Sequence, residues 1–441
     1  MHGWVRWLTA RLVRLYYPSL SCEGLERLPK GVPLVFLPNH PNALLDPLVL
    51  RLAVGMPVAF LAKSTLFDSA ISRVALDAYD AMPVYRQRDG GAGDKNEATF
   101  ARCRARLGAG LPLAIFPEGT SHSDPTLKPL KTGATRIALG AEAEHGFSLG
   151  VLLVPASLHY DDKATFRSSA LVVLGEPIGV AELRDDYEKD ERATVHALTE
   201  RVRAQMDEVV AQAETREILH GVARVAEWTA GPDAGPASRQ ARTLMLLRAY
   251  RAWSIKDPER TARVTQKARS YTRMLRRLGV KDPWDVEIGS ISAATAVRVT
   301  FKLLGLAPFA MVGALAGWLP YRFTGRVAAR VTKDEDVLGT VKLLGGALFL
   351  ALAWSAESAL VGYLFGMWFA PLAFVAFMAC GYAALRWDEI ASESIEALRM
   401  MVFRNKADVS AALTKRRREL ALEVEEALAS RDSLENARVL T

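Results

Sequence analysis

His40 and Asp46 lie six positions apart in the stretch NHPNALLD at 39–46, where they can serve as a base and its orienting acid. A neutral imidazole can take a proton from a hydroxyl, and a carboxylate on its other ring nitrogen fixes the tautomer and steadies the developing charge. No Ser or Cys nucleophile is needed if a substrate hydroxyl makes the attack. Further along, FPEGT at 116–120 places Glu118, Gly119 and Thr120 after an apolar run, and Gly119 lets backbone approach a ligand closely. Arg86 and Arg88 can grip a phosphate dianion, because guanidinium pairs with phosphate bidentately and keeps its charge. His122 with Asp124 has no second cluster to make a metal site, so no metal is expected, and His159 reads as structural.

These residues need a scaffold that gathers them. Between 32 and 180, β-prone runs at 33–37, 58–62, 83–85, 111–116, 150–159 and 170–174 alternate with helical stretches, the pattern of an α/β sandwich. Several runs end at a polar motif, at 39–40, 86–88 and 118–120. Ligand sites in such sheets form beyond the carboxyl ends of strands, so the motifs are expected to share one cleft.

Half of the 441 residues are hydrophobic and the formal charge is +7, which suits an anionic partner. A nucleic-acid binder would explain the charge but not the apolar segments, so the expected partner is a phospholipid surface and not nucleic acid. Cys22, Cys103 and Cys380 lie far apart, which indicates neither a disulfide framework nor a zinc site. Residues 1–20 read as an amphipathic helix in a membrane interface, with Trp4, Val5, Leu8, Leu12, Leu15 and Tyr16 opposite Arg6, Arg11 and Arg14. A domain at 30–190 is followed by a helical, basic region at 191–300. Residues 301–386 then carry three apolar stretches. A spanning helix needs ~20 apolar residues, so 343–365 and 367–385 are expected to form a hairpin, while 303–319, bracketed by Pro308 and Pro320, is expected to be re-entrant. Arg322, Arg326, Arg330, Lys333 and Lys342 on one side of the hairpin and Arg386 and Arg399 on the other place both its ends, and the catalytic domain, on the cytoplasmic face. Residues 387–441 read as a helical cytoplasmic tail, amphipathic and with a basic cluster at 415–418 that reads as solvated surface, not a site. Glu357 falls inside the second stretch and has no partner in sight.

Taken together, the motifs resemble those of the glycerophospholipid acyltransferases. NHPNALLD matches the family's NHx4D motif, FPEGT matches its second motif letter for letter, PVYR at 83–86 resembles the block that ends in an arginine, and VPA at 154–156 resembles the late Val-Pro block. The resemblance covers about 30–180, and the four blocks in this order are far more specific than a lone His-x4-Asp. It implies an acyltransferase α/β domain with His40 as general base and Asp46 as its orienter. By position it gives Glu118, Gly119 and Thr120 a role in binding the glycerol phosphate, Arg86 the family's arginine place, and Lys131 and Lys63 further positive contacts. It also implies an acyl-CoA or acyl-ACP donor, a glycerol phosphate-type acceptor and no cofactor. The YRQRD run at 85–89 and the long C-terminal extension resemble the branch that acylates glycerol 3-phosphate or dihydroxyacetone phosphate. Acylation of 1-acylglycerol 3-phosphate stays open beside it.

Two other classes keep some of these features. A thioesterase-like hydrolase would use His40 and Asp46 with water but leave the arginines without a task. A non-catalytic membrane-shaping protein would need the apolar helices but not the polar motifs.

Overall fold

Leu34 and Phe36 belong to one apolar cluster, and Val35 and Leu37 to another. A strand whose alternate side chains enter two cores lies inside a covered sheet. In the computed structural model, which describes residues 3–85, 93–231, 234–278, 293–404 and 407–439, the chain divides into two compact units. The first comprises Met1–Arg216 with Thr332–Leu343, and the second comprises Glu217–Val331 with Leu344–Thr441.

The first unit runs α1 (Gly3–Tyr16), β1 (Ser19–Glu23), β2 (Leu34–Pro38), α2 (Leu45–Val54), β3 (Ala59–Lys63), α3 (Ala70–Asp77), β4 (Met82–Val84), α4 (Gly93–Gly108) and β5 (Leu113–Ala114). It continues through α5 (Gly133–Glu144), β6 (Leu152–Tyr160), β7 (Ser169–Leu174), β8 (Ile178–Gly179), α6 (Arg184–Lys189) and α7 (Glu191–Val209). The sheet order is β1-β7-β6-β2-β5-β3-β4, with β8 paired to β6. Among the described residues, only β6 with β7 and β6 with β8 are antiparallel. Val5 and Val13 of α1 and Val49 and Leu50 of α2 pack on one face. Cys103 and Leu107 of α4, Ile137 and Leu139 of α5 and Leu198 and Val202 of α7 pack on the other. This is an α/β sandwich, and each fully buried Leu or Ile contributes roughly 1.5–3 kcal/mol to it.

The N-terminal helix divides its apolar residues differently from the single stripe expected. Val5, Val13 and Tyr16 are buried against the sheet, whereas Trp4, Trp7 and Leu8 point outward. Two strands lie outside the runs read from the sequence. β1 (SLSCE) is mostly polar and pairs at the edge with β7, and β8 has only two residues, too few to make a pattern.

The second unit holds α8 (Arg216–Thr229), α9 (Pro236–Lys256), α10 (Pro258–Leu278) and α11 (Ala293–Val331). It also holds most of α12 (Glu335–Phe365), α13 (Phe369–Arg404) and α14 (Ala407–Val439). Three spans among the described residues are long and apolar enough to cross a membrane: Ala294–Val331, Glu335–Phe365 and Phe369–Ile395. The 303–319 stretch, expected as a short re-entrant piece, lies within the continuous helix α11 despite Pro308 and Pro320. Proline removes one hydrogen bond of the helical ladder, and apolar helices tolerate that loss where neighbouring helices support them. Here α11 lies along α13, with Gly313 so close to the Cys380 backbone that a Cβ would collide with it, and Trp387 Nε1 donates to the Leu303 carbonyl at 3.1 Å. Gly366, at φ +112°, turns α12 into α13.

The C-terminal helix packs through its apolar residues. Leu413, Leu420, Val424 and Leu428 of α14 join Trp228 and Tyr271 in one core, and Glu426 pairs with Arg260 at 3.3 Å. Arg417, within the basic cluster at 415–418, is itself buried.

Candidate active site

Parallel neighbours deliver their carboxyl ends to the same edge of a sheet. β2 pairs with β5 and β6, and β5 with β3, all in parallel. His40 follows β2, Glu118 follows β5, Lys63 ends β3 and Tyr160 ends β6, so topology alone assembles them. Asn39 ties the loop to β6, its side chain accepting from Leu158 N at 2.7 Å and donating to the Leu158 carbonyl at 3.4 Å.

Asp46 sits in the first turn of α2, fully buried. Its Oδ2 accepts from His40 Nδ1 at 2.8 Å and from Asn42 N at 2.7 Å, and its Oδ1 accepts from the Tyr160 hydroxyl at 2.7 Å. A carboxylate oxygen aimed at Nδ1 makes that nitrogen the proton carrier and leaves Nε2 with its lone pair outward. Among the described residues Nε2 has no partner. The His40 ring stacks on Phe116 with centroids 4.1 Å apart, which fixes its plane, and its side chain keeps 18% of its exposure. The turn between them requires Ala43 at φ +39°, an unfavourable backbone held by the surrounding bonds. Burial first, then the Asp46 carboxylate, push the Tyr160 phenol well above the ordinary tyrosine value.

The second motif braces the first. Glu118 is buried, and its Oε1 accepts from His40 N at 3.2 Å. Its Oε2 accepts from Lys128 N at 2.8 Å and pairs with His122 Nε2. His122 Nδ1 accepts from Asp124 N at 3.1 Å, so Nε2 carries the ring proton to Glu118. The His122 amide donates to the His40 carbonyl at 3.0 Å, which holds both backbone groups of His40 in one grip. His122 and Tyr160 are thus site residues that the sequence reading did not assign. A polar residue at a strand's carboxyl end is the signal for Tyr160, and His122 has only its place two positions past Thr120.

Gly119 has φ +69°, and a Cβ there would lie 2.6 Å from Lys131 Nζ. The Lys131 ammonium therefore lies over the turn through Glu118, Gly119 and Thr120, where it can meet an anion. The Thr120 hydroxyl donates to the Ser121 carbonyl at 3.4 Å and Lys63 is partly exposed at the end of β3. Arg86 and Arg88 lie outside the described residues.

Behind the dyad, the 161–168 loop forms a hub. Lys163 Nζ donates to the Pro41 carbonyl at 2.9 Å and to the Ser123 hydroxyl, bridging both motifs. Burial pushes the Lys163 ammonium down from the ordinary lysine value, against the pull of Asp336, Glu335 and Asp46. The Tyr17 hydroxyl donates to the Lys163 carbonyl at 2.7 Å and accepts from Asn42 Nδ2 at 2.7 Å. Burial is the main cause that raises the Tyr17 phenol above its ordinary value.

Residues 19–159 match the family described as Acyltransferase. The chain is 25% identical to an uncharacterized acyltransferase of Schizosaccharomyces pombe over 74% of its own length and 53% of that protein. It is 30% identical to glycerol-3-phosphate O-acyltransferase 2 of Saccharomyces cerevisiae over 42% of its own length and 25% of that protein. A chloroplastic 1-acyl-sn-glycerol-3-phosphate acyltransferase of Arabidopsis thaliana is 29% identical over 36% of this chain and 40% of its own. The chain therefore spans about half or less of the length of these relatives.

Proposed function

We propose, for a chain whose residues 19–159 belong to the glycerophospholipid acyltransferases, that it moves a fatty acyl group from acyl-CoA or acyl-ACP to a glycerol 3-phosphate-type acceptor. The observation that carries this reading is His40 held through Nδ1 by Asp46, with Nε2 free of partners among the described residues. In the proposed reaction, Nε2 takes the proton of the acceptor hydroxyl as its oxygen attacks the thioester carbonyl. The tetrahedral intermediate collapses with loss of the thiolate, and the imidazolium returns the proton to sulfur. Asp46 stabilises the imidazolium, while Lys131 and Lys63 contribute positive charge for the phosphate. Arg86 and Arg88 carry the same expectation from their motif. Glycerol 3-phosphate is favoured as acceptor because the match to the yeast glycerol-3-phosphate enzyme runs over 191 residues, against 158 for the chloroplastic relative. Acylation of 1-acylglycerol 3-phosphate is the alternative. The three apolar helices suit an enzyme that meets its acyl chains at a bilayer, and the basic residues 322–342 favour the cytoplasmic face.

The test is an assay of the detergent-solubilised full chain with labelled acyl-CoA or acyl-ACP and, separately, glycerol 3-phosphate, dihydroxyacetone phosphate or 1-acylglycerol 3-phosphate. Transfer to glycerol 3-phosphate that is lost in His40→Ala is expected. Transfer only to the acylated acceptor would favour the alternative, and thioester hydrolysis with no transfer would overturn the reading.

A further inference from the structure

The segment Thr332–Leu343 belongs to the catalytic unit although it lies far beyond the matched family domain. Glu335 pairs with Arg216 at 2.8 Å, Lys342 Nζ donates to the Ala164 carbonyl at 2.8 Å, and Leu343 is buried in the same cluster as Leu45, Phe116 and Leu158. Between them Gly339 lies directly against the dyad's support. A Cβ on it would sit 2.7 Å from Asn42 Oδ1, 2.8 Å from the Lys163 carbonyl oxygen and 3.2 Å from Leu45 Cδ1. Among the described residues the buried Asn42 Oδ1 makes no hydrogen bond, and Gly339 packs against this side of Asn42.

We infer that Gly339 and Lys342, in the first turns of α12, are positioning residues for the His40–Asp46 pair. The inference rests on His40 being the catalytic base. Two short routes connect them. From Gly339 through Asn42, the Asn42 amide reaches Asp46 Oδ2, the oxygen that also takes His40 Nδ1. From Gly339 and Lys342 through the 163–164 backbone, Lys163 Nζ reaches the Pro41 carbonyl, next to His40. Both routes end on the groups that hold His40 and Asp46, so the effect is expected on the alignment of the base and not on binding. A helix that begins the second apolar stretch therefore has an enzymatic role in addition to its hydrophobic one.

Gly339→Ala tests this, with Gly305→Ala as control, since a Cβ at Gly305 meets nothing within 4 Å. Gly339→Ala is expected to lower kcat by about 10- to 100-fold, the effect of an ångström-scale misplacement, with KM for donor and acceptor within about twofold and Gly305→Ala unchanged. The rate of His40 modification by diethyl pyrocarbonate at fixed pH, mapped by peptide mass spectrometry, gives a readout that needs no turnover. It should change in Gly339→Ala and not in Gly305→Ala. If Gly339→Ala fails to fold, Lys342→Ala, which adds no atoms, takes its place: a kcat loss recovered by Lys342→Arg is expected. A Gly339→Ala protein that matches the control in both kcat and His40 reactivity overturns the inference, as does, in the second case, a Lys342→Ala protein with wild-type values. If the wild-type chain transfers no acyl group, the acyltransferase reading fails, yet the His40 reactivity comparison still decides the coupling.

Discussion

Asp46→Asn separates two roles of the carboxylate, its charge and its control of the tautomer. Oδ2 receives two donors, His40 Nδ1–H and the Asn42 amide, while Oδ1 receives the Tyr160 hydroxyl. A backbone N–H cannot turn round to accept, so an asparagine must keep its carbonyl oxygen at the Oδ2 position. Its NH2 then faces Tyr160, whose hydroxyl can rotate to accept. The Nδ1–H tautomer survives and only the charge is lost. Hydrogen bonds to charged groups contribute about 1.5–3 kcal/mol, against about 0.5–1.5 kcal/mol for neutral ones. The difference of about 1–2 kcal/mol in holding the imidazolium corresponds to a fall in kcat of roughly 5- to 30-fold. A flipped asparagine would force the wrong tautomer, for which the loss in a comparable triad is about 10⁴-fold. Asp46→Ala is a poorer probe, since orphaning three donors at about 1–3 kcal/mol each threatens the fold. The assay is steady-state acyl transfer alongside thermal unfolding of both proteins. A loss near 10⁴-fold in a folded Asp46→Asn protein would refute the claim that the Asn42 amide dictates the tautomer.

Gly119→Ala should cost about 1–2 kcal/mol from its left-handed backbone and displace Lys131, raising KM for the phosphorylated acceptor several-fold while the donor KM stays put; equal changes in both would sink the assignment of Lys131 to the anion. Alkaline stability gives a further check, because Tyr17 and Tyr160 both have folded values above the unfolded value of 10.0. Their contribution is complete below pH 10 and is lost as pH rises above it, since the unfolded chain releases those protons first. Urea unfolding from pH 8 to pH 11 should therefore show a shallower alkaline decline in Tyr160→Phe than in the wild type, and parallel curves would count against the buried phenol.

The sandwich was legible because its central strands carry a clear signal: 33–37 and 111–116 are apolar runs that end in polar motifs. β1 and β8 were not, being mostly polar or too short for periodicity to register. At the site, His40, Asp46 and Glu118 announced themselves through type and spacing. The environment of Glu118 did not, for nothing in FPEGTSHSD says that its oxygens turn inward to His40 N, Lys128 N and His122. Tyr160, Lys163 and Gly339 were hidden for a different reason. Tyr160 acts on Asp46 across 114 positions of chain and Lys163 on Pro41 across 122, while Gly339 meets Asn42 from farther still, and local pattern carries no trace of such contacts. The α11 prolines misled because proline's penalty is local, whereas the packing of Gly313 on α13 that offsets it is distant.

The discontinuity of the catalytic unit sets a timetable for its birth. Everything from β1 to α7 leaves the ribosome well before Thr332–Leu343, with more than a hundred residues, Glu217–Val331, translated in between. At ~5–20 residues per second that gap lasts roughly 5–20 s. During it the sheet can form, but Asn42 and Leu45 lack their cover from Gly339 and Leu343, and the first long apolar helix must be made before they receive it. A nascent chain thus completes its His40 support only after the segment that can enter a bilayer has been synthesised, so catalytic competence is expected to follow synthesis of that segment rather than precede it.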